Sequence, residues 1–524
     1  MNQKENNVID SLSYQKTHDN AKGIQDEVLR FSNTLISNGY LSSFQKEYSK
    51  KNDSTFLYVF ILNQRTKANV IHLDKIEEST KKLLGIEHNK VIIEIPQTQH
   101  YINSILQNLE RKGYAISQIK LNNHQIINDS LHTDLSITLD KKRKIDLITI
   151  QPYQNFPSGV KKQMQRRYVK KDFNQETINL IQKELTQYPF IKTMRPAEVL
   201  FTEDNTILYL YLEKANVSRF DGIVGFTNDE EGNVRFNGNI DLNLINLFNK
   251  GEQFTIYWKN DGNQQSTFKF KTELPYLFKT PFGIQGDLQI FKQDSTQQNT
   301  QLGLTALYYL SYNNRLGVGY KSTSSVAGSG NLYGAENYSN RFVTVNYSYQ
   351  KWKDHFLFRQ QTNIMASAGY GNRIQESDKV KQQFVQIIGE HIFYLNNRNS
   401  VHLKTEWYHL FSKSVLYNEL YRFGGINSIR GFSENSLMAK SLAGLYAEYR
   451  YSLSSTIYAH TITDFAHYRE PLSKFKGNLY SFGIGVGLNT AGGLFNLVYA
   501  NGIQPEQDFK LSNSIIHLSY KTQF

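Results

Sequence analysis

From Val217 to the last residue, apolar and polar side chains alternate one by one, and this period of two limits the possible folds more than any other feature. Between Phe342 and Gln350, for example, every second residue is apolar or aromatic. About sixteen such stretches of roughly 9 to 14 residues follow one another, long enough to cross a bilayer at a tilt. A soluble β-sandwich would show the same alternation. Because an even strand number permits antiparallel closure, we predict a 16-stranded antiparallel transmembrane β-barrel over residues 216–524.

The composition excludes a membrane protein built from helices. Mean hydropathy is −0.51, and no stretch approaches the roughly 20 apolar residues that a membrane-spanning helix needs. A barrel passes this test, because each of its strands turns only every second residue towards lipid. The 34 Tyr and 32 Phe also suit the aromatic girdles of such a barrel.

The positive charge of the chain has two interpretations. The net charge is +12, but Lys and Arg are mostly scattered, with two clusters at 141–144 and 161–171. We interpret them as solvated surface. The alternative, a soluble nucleic-acid binder, predicts binding that falls steeply with salt. The first ten residues are polar and contain no apolar segment of a signal peptide, so a barrel would require that a signal had been removed.

The first two-fifths of the chain contain a repeated soluble module. Asn38-Gly39-Tyr40 recurs about 74 residues later as Lys112-Gly113-Tyr114, each time at the end of a helical pattern and before two strand patterns. We predict modules at 1–66, which lacks a clear opening strand, at 67–142 and at 143–215. The third has the fullest pattern: a strand at 145–150, helices at 157–168 and after Asn174, and strands at 198–201 and 207–212.

This order of strand, helix, helix, strand and strand resembles the POTRA domain, the periplasmic module of the BamA-type (Omp85) outer-membrane superfamily. The resemblance implies a fold of α+β periplasmic modules followed by the barrel. It also implies exposed sheet edges, which can bind extended chains by β-augmentation.

A motif between the eleventh and twelfth segments names the same family. The run from Tyr421 to Phe432 strongly resembles the loop-six signature, in which an Arg-Gly-aromatic tip folds back into the lumen. The matching residues are Gly424, Gly425, Arg430, Gly431 and Phe432. The last strand, which ends in Phe524, resembles the C-terminal recognition strand of bacterial outer-membrane proteins.

An arginine inside a lumen requires anionic partners, because an unpaired buried charge is costly. Glu448 lies on the polar face of the twelfth segment. Asp464 lies on that of the thirteenth, within a run that resembles the family's Phe-x-Asp-x-Gly segment, although Ile462 and Ala466 depart from it. We predict that Arg430, Glu448 and Asp464 form a structural lock. In the fourteenth segment the inward glycines at 483, 485 and 487 are expected to leave room for the inserted loop.

The resemblance implies a protein of the bacterial outer membrane that assists the insertion of β-barrel proteins, with the modules in the periplasm. A two-partner exporter is the alternative. A lateral seam is expected between the first strand, weakened by Gly222 and Gly225, and the last strand with Phe524. The partners would be the lipid bilayer, nascent outer-membrane proteins or a secreted client, and accessory envelope proteins.

No enzymatic activity, cofactor, metal site or nucleic-acid partner is expected. The contrary hypothesis, an outer-membrane hydrolase, rests on His460 and Asp464, which share a face of the thirteenth segment. No serine nucleophile motif accompanies them.

Overall fold

A computed structural model describes residues 3–228, 234–260, 265–293, 296–328, 334–353, 355–376, 378–472, 475–490, 493–504 and 510–523. The chain divides into two compact units. The first contains residues 1–146, 169–179 and 201–207, and the second contains 147–168, 180–200 and 208–524. In the described ranges, no helix is both long enough and apolar enough to cross a membrane.

The first module consists of two helices and a hairpin. Helix α1 spans Gln3–Ser11, α2 spans Ala21–Ser37, and strands β1 and β2 span Phe44–Asn52 and Thr55–Ile61. Helix α2 begins after Asn20, whose side chain accepts a hydrogen bond from the Gly23 N–H at 2.9 Å. Phe31 and Leu35 of this helix pack on Phe60 and Leu62. Among the described residues no strand precedes the helices, as the sequence predicts.

The second module has a four-stranded sheet. Its elements are β3 Ala68–His72, α3 Glu78–Leu84, β4 Lys90–Glu94, α4 Thr98–Arg111, β5 Gln118–Ile127 and β6 Ser130–Thr138. The sheet order is β4-β3-β6-β5, with β3 parallel to β6. Gly113, at φ +93°, follows α4 in the left-handed conformation that commonly ends a helix. Strands β3 and β4 and helix α3 were not among the elements predicted for this copy.

The third module has the predicted order of elements. They are β7 Leu147–Pro152, α5 Ser158–Tyr168, α6 Gln175–Leu185, β8 Ile191–Phe201 and β9 Thr206–Lys214, with the sheet order β7-β9-β8. Asn174 caps α6, because its Oδ1 accepts a hydrogen bond from the Thr177 N–H at 2.7 Å. Strand β8 begins seven residues before the predicted start at 198. Its first half is exposed on both faces after Ile191, so it carries no alternation that a sequence analysis could detect.

The remaining strands confirm the predicted 16-stranded antiparallel barrel. The strands in chain order are β10 Arg219–Asn228, β11 Val234–Ile245, β12 Gln253–Asn260, β13 Gln265–Leu274, β14 Phe282–Gln293, β15 Gln297–Ser311, β16 Asn314–Ala327, β17 Tyr338–Trp352, β18 Gln360–Gln375, β19 Asp378–Tyr394, β20 Asn399–Ser412, β21 Tyr421–Phe423, β22 Leu437–Ala439, β23 Ser441–Ser452, β24 Ile457–Glu470, β25 Phe475–Thr490, β26 Gly493–Ile503 and β27 Ser514–Gln523. All except β21 and β22, which form a separate pair, belong to the closed barrel, in which β27 pairs with β10.

The two faces of the barrel wall follow the alternation in the sequence. On β17, Val343 and Val345 are 60% and 59% exposed, whereas Thr344 between them is 4% exposed. On β25, Ile484 points outwards and Ser481 is fully buried on the inner face. The barrel therefore turns an apolar surface outwards and a polar surface into its lumen, as a lipid-facing wall requires.

Within the second unit, the third module packs on the turns at one end of the barrel, here called the module end. Gln163 donates a hydrogen bond to the Lys279 carbonyl at 2.6 Å, and the Tyr188 and Tyr312 rings lie 4.8 Å apart. Burial, with the Glu184 carboxylate nearby, raises the pKa of Tyr188 well above its ordinary value. Tyr188 therefore stays a neutral donor, and its hydroxyl bonds Glu184 at 2.8 Å.

Candidate functional site: the loop inside the barrel

Residues 413–440, here called the inner loop, connect β20 to β23 and fold back into the lumen. The loop is a hairpin, because β21 pairs with β22 from Tyr421 opposite Ala439 to Phe423 opposite Leu437. Its tip lies between these strands. Gly424, Gly425 and Gly431 have φ angles of +102°, +98° and +76°, which only glycine adopts without strain.

The structure brings Arg430, Glu448 and Asp464 together in a buried site. The Arg430 Nε and Nη2 donate to the two oxygens of Asp464 at 2.9 and 2.5 Å, and the Arg430 backbone N–H donates to Asp464 Oδ2 at 3.0 Å. The Arg430 Nη1 bonds Glu448. Arg430 is 5% exposed and Asp464 is 1% exposed. Removing one partner from such a cluster would leave a buried charge unpaired, at a cost of about 3–5 kcal/mol.

The second carboxylate has partners of its own. Arg450 donates to Glu448 Oε2 through Nε at 2.6 Å, and His402 Nδ1 lies 3.6 Å from the same oxygen. Two arginines therefore face two carboxylates in this cluster. Arg450 was not among the predicted site residues. Its position two residues after Glu448 on the same strand face was a signal in the sequence.

The tip of the inner loop lies directly against the backbone of β26. A Cβ atom on Gly431 would stand 2.4 Å from the backbone nitrogen of Gly502, and one on Gly502 would stand 2.6 Å from the Gly431 carbonyl oxygen. Both positions therefore require glycine. Gly502 was missed by the sequence analysis, although a single glycine within a strand often marks such a close approach.

The aromatic residue of the motif packs into an apolar cluster of the lumen. Phe432 is buried there with loop residues Phe423 and Ile429 and with residues of the wall. Gly424 and Gly425 fold the tip on itself: the Gly425 N–H donates to the Ile429 carbonyl at 3.1 Å. The five predicted motif residues thus lie in one packed tip, while their role in a lock stays a prediction.

The expected room for the loop beside the glycines of β25 is taken by other side chains. A Cβ on Gly485 would stand 2.2 Å from the His460 ring, and one on Gly487 would stand 2.0 Å from the Tyr458 ring. This expectation was wrong. Its physical reason is the register, because His460 and Tyr458 of β24 lie opposite these two glycines and their rings cover them.

His460 and Asp464, the pair behind the hydrolase hypothesis, have separate partners. The Asp464 carboxylate bonds Arg430, whereas His460 Nε2 lies 3.4 Å from Asn496 Oδ1. No cluster of His, Cys, Asp or Glu suited to a metal ion occurs in the part of the chain that the structure describes.

The base of the inner loop is attached by a second buried ion pair. Arg373 Nη1 donates to Glu419 Oε2 at 2.7 Å, and both side chains are 3% exposed. Gln382 donates to the other Glu419 oxygen at 2.6 Å. The neighbouring Asn418 donates to Ser325 Oγ at 2.6 Å. The sequence analysis missed this pair, since its members lie far apart in the chain and form no motif.

Further bonds connect the loop to strands on other sides of the wall. Glu434 accepts a hydrogen bond from the Tyr257 hydroxyl at 2.7 Å and bonds Lys259, both on β12. Glu406 on β20 accepts from Tyr421 at 2.5 Å and from Ser428 at 2.9 Å. The loop is therefore bound to the wall from β12 to β26.

The predicted seam between the first and last strands has a short register. In the described residues β10 pairs with β27 at two positions, Arg219 with Gln523 and Phe220 with Thr522. Gly222 and Gly225 lie opposite Ile240 and Asn237 of β11. Being three residues apart, the two glycines belong to opposite faces of β10. Phe524 lies outside the described residues.

Sequence comparisons found no matching family model and no matching curated protein. Solved structures do match. CdiB from Acinetobacter baumannii is 13% identical and CdiB from Escherichia coli 14% identical, each over 96% of this chain and 98% of theirs, with a TM-score of 0.52. BamA from Haemophilus ducreyi lacking POTRA domains 1–3 is 13% identical over 87% of this chain and 98% of its own, with a TM-score of 0.49. The chain therefore shares the fold of the two CdiB structures, with α+β modules followed by a 16-stranded barrel as the sequence predicts.

Proposed function

We propose that this chain resides in the bacterial outer membrane, with its modules in the periplasm, and assists the insertion of β-barrel proteins into that membrane. The observation that carries the proposal is the short seam. In the described register two residue pairs join β10 to β27, whereas every other pair of neighbouring barrel strands shares eight or more. Each backbone hydrogen bond contributes about 1 kcal/mol net, so the seam is the place where the wall separates most easily.

Beyond Asp221, the edge of β10 that faces β27 offers a template for an incoming strand. An unpaired strand edge presents N–H and C=O groups that an extended client segment can bind. The sheet edges of the modules would bind the same kind of client before it reaches the barrel.

The inner loop supports the proposal because it is bound on both sides of the seam. Gly431 touches β26, the neighbour of β27, and Glu434 bonds β12, two strands from β10. Arg430, Glu448 and Asp464 would then act as a lock that keeps the loop seated while the seam opens. The chemistry is binding and strand exchange, and no catalytic group, cofactor or nucleic acid takes part.

A disulfide across the seam tests the proposal. The chain has no cysteine, so Phe220→Cys with Thr522→Cys creates a unique pair at paired positions. In cells lacking the native copy, we expect the oxidised variant to lower the amounts of folded outer-membrane proteins, and a reductant to restore them. The control pair, Leu497→Cys with Leu518→Cys, joins two strands that are already paired along their length and should have no effect. Normal assembly with the locked seam would refute lateral opening.

A two-partner exporter is the second candidate. The structures with this fold include CdiB, which is such an exporter and matches nearly the whole chain. This function predicts that deletion of the chain abolishes secretion of one client encoded next to it and leaves other outer-membrane proteins at normal levels. The opposite pattern identifies the assembly function.

A further inference from the structure

The second part of the turn between β17 and β18 also lies inside the barrel. Residues 355–359, here called the inner turn, extend from the module end into the lumen. Phe358 is 9% exposed, and its ring lies 4.9 Å from that of Tyr458 on β24. Phe358 and Leu357 belong to a cluster with Ile392 of β19 and Leu494 of β26. A turn that starts on the eighth barrel strand therefore reaches the thirteenth and fifteenth.

Hydrogen bonds hold the inner turn in a defined conformation. The Leu357 and Phe358 N–H groups donate to His355 Nδ1 at 3.2 and 3.1 Å. The Tyr394 hydroxyl donates to the Phe358 carbonyl at 2.6 Å. These bonds satisfy backbone groups that an inward turn would otherwise leave unpaired.

A cavity of about 590 Å³ separates the inner turn from the inner loop. The loop residues Asn427, Ser428 and Arg430 line it, and so does the inner turn with Phe356 and Phe358. The inner turn thus forms part of the cavity wall towards the module end, where Pro189 of the third module and Val217 also line it.

One residue connects the inner turn to the loop. The Arg450 guanidinium lies over the Phe358 ring, 4.5 Å from its centroid, and donates to Glu448 at 2.6 Å. Glu448 in turn bonds Arg430. A continuous chain of contacts therefore runs from the tip of the inner loop through Glu448 and Arg450 to Phe358.

The third module contacts the start of the same turn. Gln187 accepts a hydrogen bond from the Trp352 N–H at 3.1 Å and donates one to the Trp352 carbonyl at 3.3 Å. Trp352 is the last residue of β17, immediately before the turn. The third module therefore also fixes the position of the residue from which the inner turn starts.

We propose that the inner turn, together with the third module, closes the module end of the lumenal cavity, and that Arg450 is the positioning residue that couples this closure to the seating of the inner loop. The inference goes beyond the proposed function, because it concerns passage through the lumen and not opening of the wall. When the loop leaves its site, Glu448 and Asp464 both lose Arg430. Arg450 then moves towards the Asp464 carboxylate, and the Phe358 ring loses its cation. The turn then swings out of the lumen.

Conductance of the purified full chain in planar lipid bilayers tests the closure without any client. We expect Phe358→Ala to increase the open-channel current, because the turn loses its contact with β24. The control is Phe393→Ala, which removes an outward ring that is 48% exposed on β19. The heat-induced shift on an SDS gel shows that each variant is folded. If Phe358→Ala misfolds, Leu357→Ser replaces it. Wild-type conductance in a folded turn variant overturns the proposal.

Labelling of the inner turn tests the coupling. A Leu357→Cys background carries the only thiol of the chain. In it we expect Arg450→Gln and Arg430→Gln each to raise the rate of modification by a membrane-impermeant maleimide at least about fivefold, the effect of losing a cation–π contact. Glu448→Gln is the second variant should Arg430→Gln not fold. The control is Arg398→Gln, an exposed residue at the module end. An unchanged rate in the Arg430 and Glu448 variants refutes the coupling, whatever Arg450→Gln does.

Discussion

The wall from β23 to β26 and the seam between β27 and β10 belong to the same barrel but differ in how they are held. Neighbouring strands of the wall pair over ten or more residues, and buried charges on its inner face bind the inner loop. The described seam has two residue pairs, and β10 carries a glycine at two positions. The contrast teaches that the contacts that stabilise this barrel are concentrated away from its seam, as the proposed opening of the seam requires. Four substitutions test this contrast, beginning with the largest expected effect.

Arg430→Glu should remove the stability that the buried charge cluster gives to the wall. It places a third carboxylate beside Glu448 and Asp464 in a buried site, so we expect a loss of about 5 kcal/mol or failure of the loop to seat. The measurement is the temperature at which the compact band of the folded barrel disappears on an SDS gel. Arg398→Glu, on the exposed turn before β20, is the control. A wild-type melting temperature for Arg430→Glu would show that the lock does not exist.

Arg373→Gln should loosen the base of the loop and leave its tip bound. It leaves the Glu419 carboxylate buried without its cation, and we expect a loss of about 3 kcal/mol. Urea unfolding in lipid measures the loss, and protease cleavage within 413–440 reports the released segment. Adding Glu419→Gln should recover part of the stability, because no unpaired charge remains. Arg341→Gln, an exposed arginine on β17, should be neutral, and equal cleavage of both single variants would contradict the second anchor.

Gly431→Ala tests the contact between the loop and β26. The residue has φ +76°, and a Cβ would meet the Gly502 nitrogen at 2.4 Å, so we expect a loss of about 2 kcal/mol beyond the backbone strain. Gly334→Ala is the matched control, because Gly334 has φ +73° with open space around it. The difference between the two melting temperatures measures the contact itself. Equal values would place the loop tip away from β26.

Gly222→Val should have the smallest effect and act on the seam. A β-branched residue on the outer face of β10 adds up to about 1 kcal/mol of strand preference. A Cβ would meet the Phe220 ring, which can move aside, and the Asn239 carbonyl oxygen at 3.2 Å, which must shift slightly. Gly286→Val, on the outer face of the fully paired β14, is the control. We expect only Gly222→Val to slow hydrogen exchange in β10. Equal slowing at both sites would show that the seam opens no more readily than the wall.

Much of the barrel and its bound arginine could be predicted from local patterns. The alternation gives the strands and also decides which residues point inwards, so Glu448 and Asp464 could be assigned to the lumen before any coordinates. The Arg-Gly-Phe motif identified Arg430, the third residue of the buried charge cluster. These predictions need only the period of a strand and the cost of an unpaired buried charge.

The contacts that were missed join distant parts of the chain. Arg373 and Glu419 meet because the base of the loop lies against β18, and Phe358 meets Tyr458 because a short turn points inwards. Neither arrangement changes the alternation of any strand. The glycines of β25 show the converse: their pattern was recognised, but the register of β24 decided that His460 and Tyr458 fill the space beside them.

The inner loop has a consequence for the envelope as a whole. Barrels of 16 to 18 strands commonly hold an aqueous channel through which small solutes diffuse. Here a hairpin bound from β12 to β26 lies across the lumen and obstructs such a channel. In the outer membrane that we propose for this chain, removal of residues 413–440 should therefore make the cell leaky to dyes, bile salts and antibiotics.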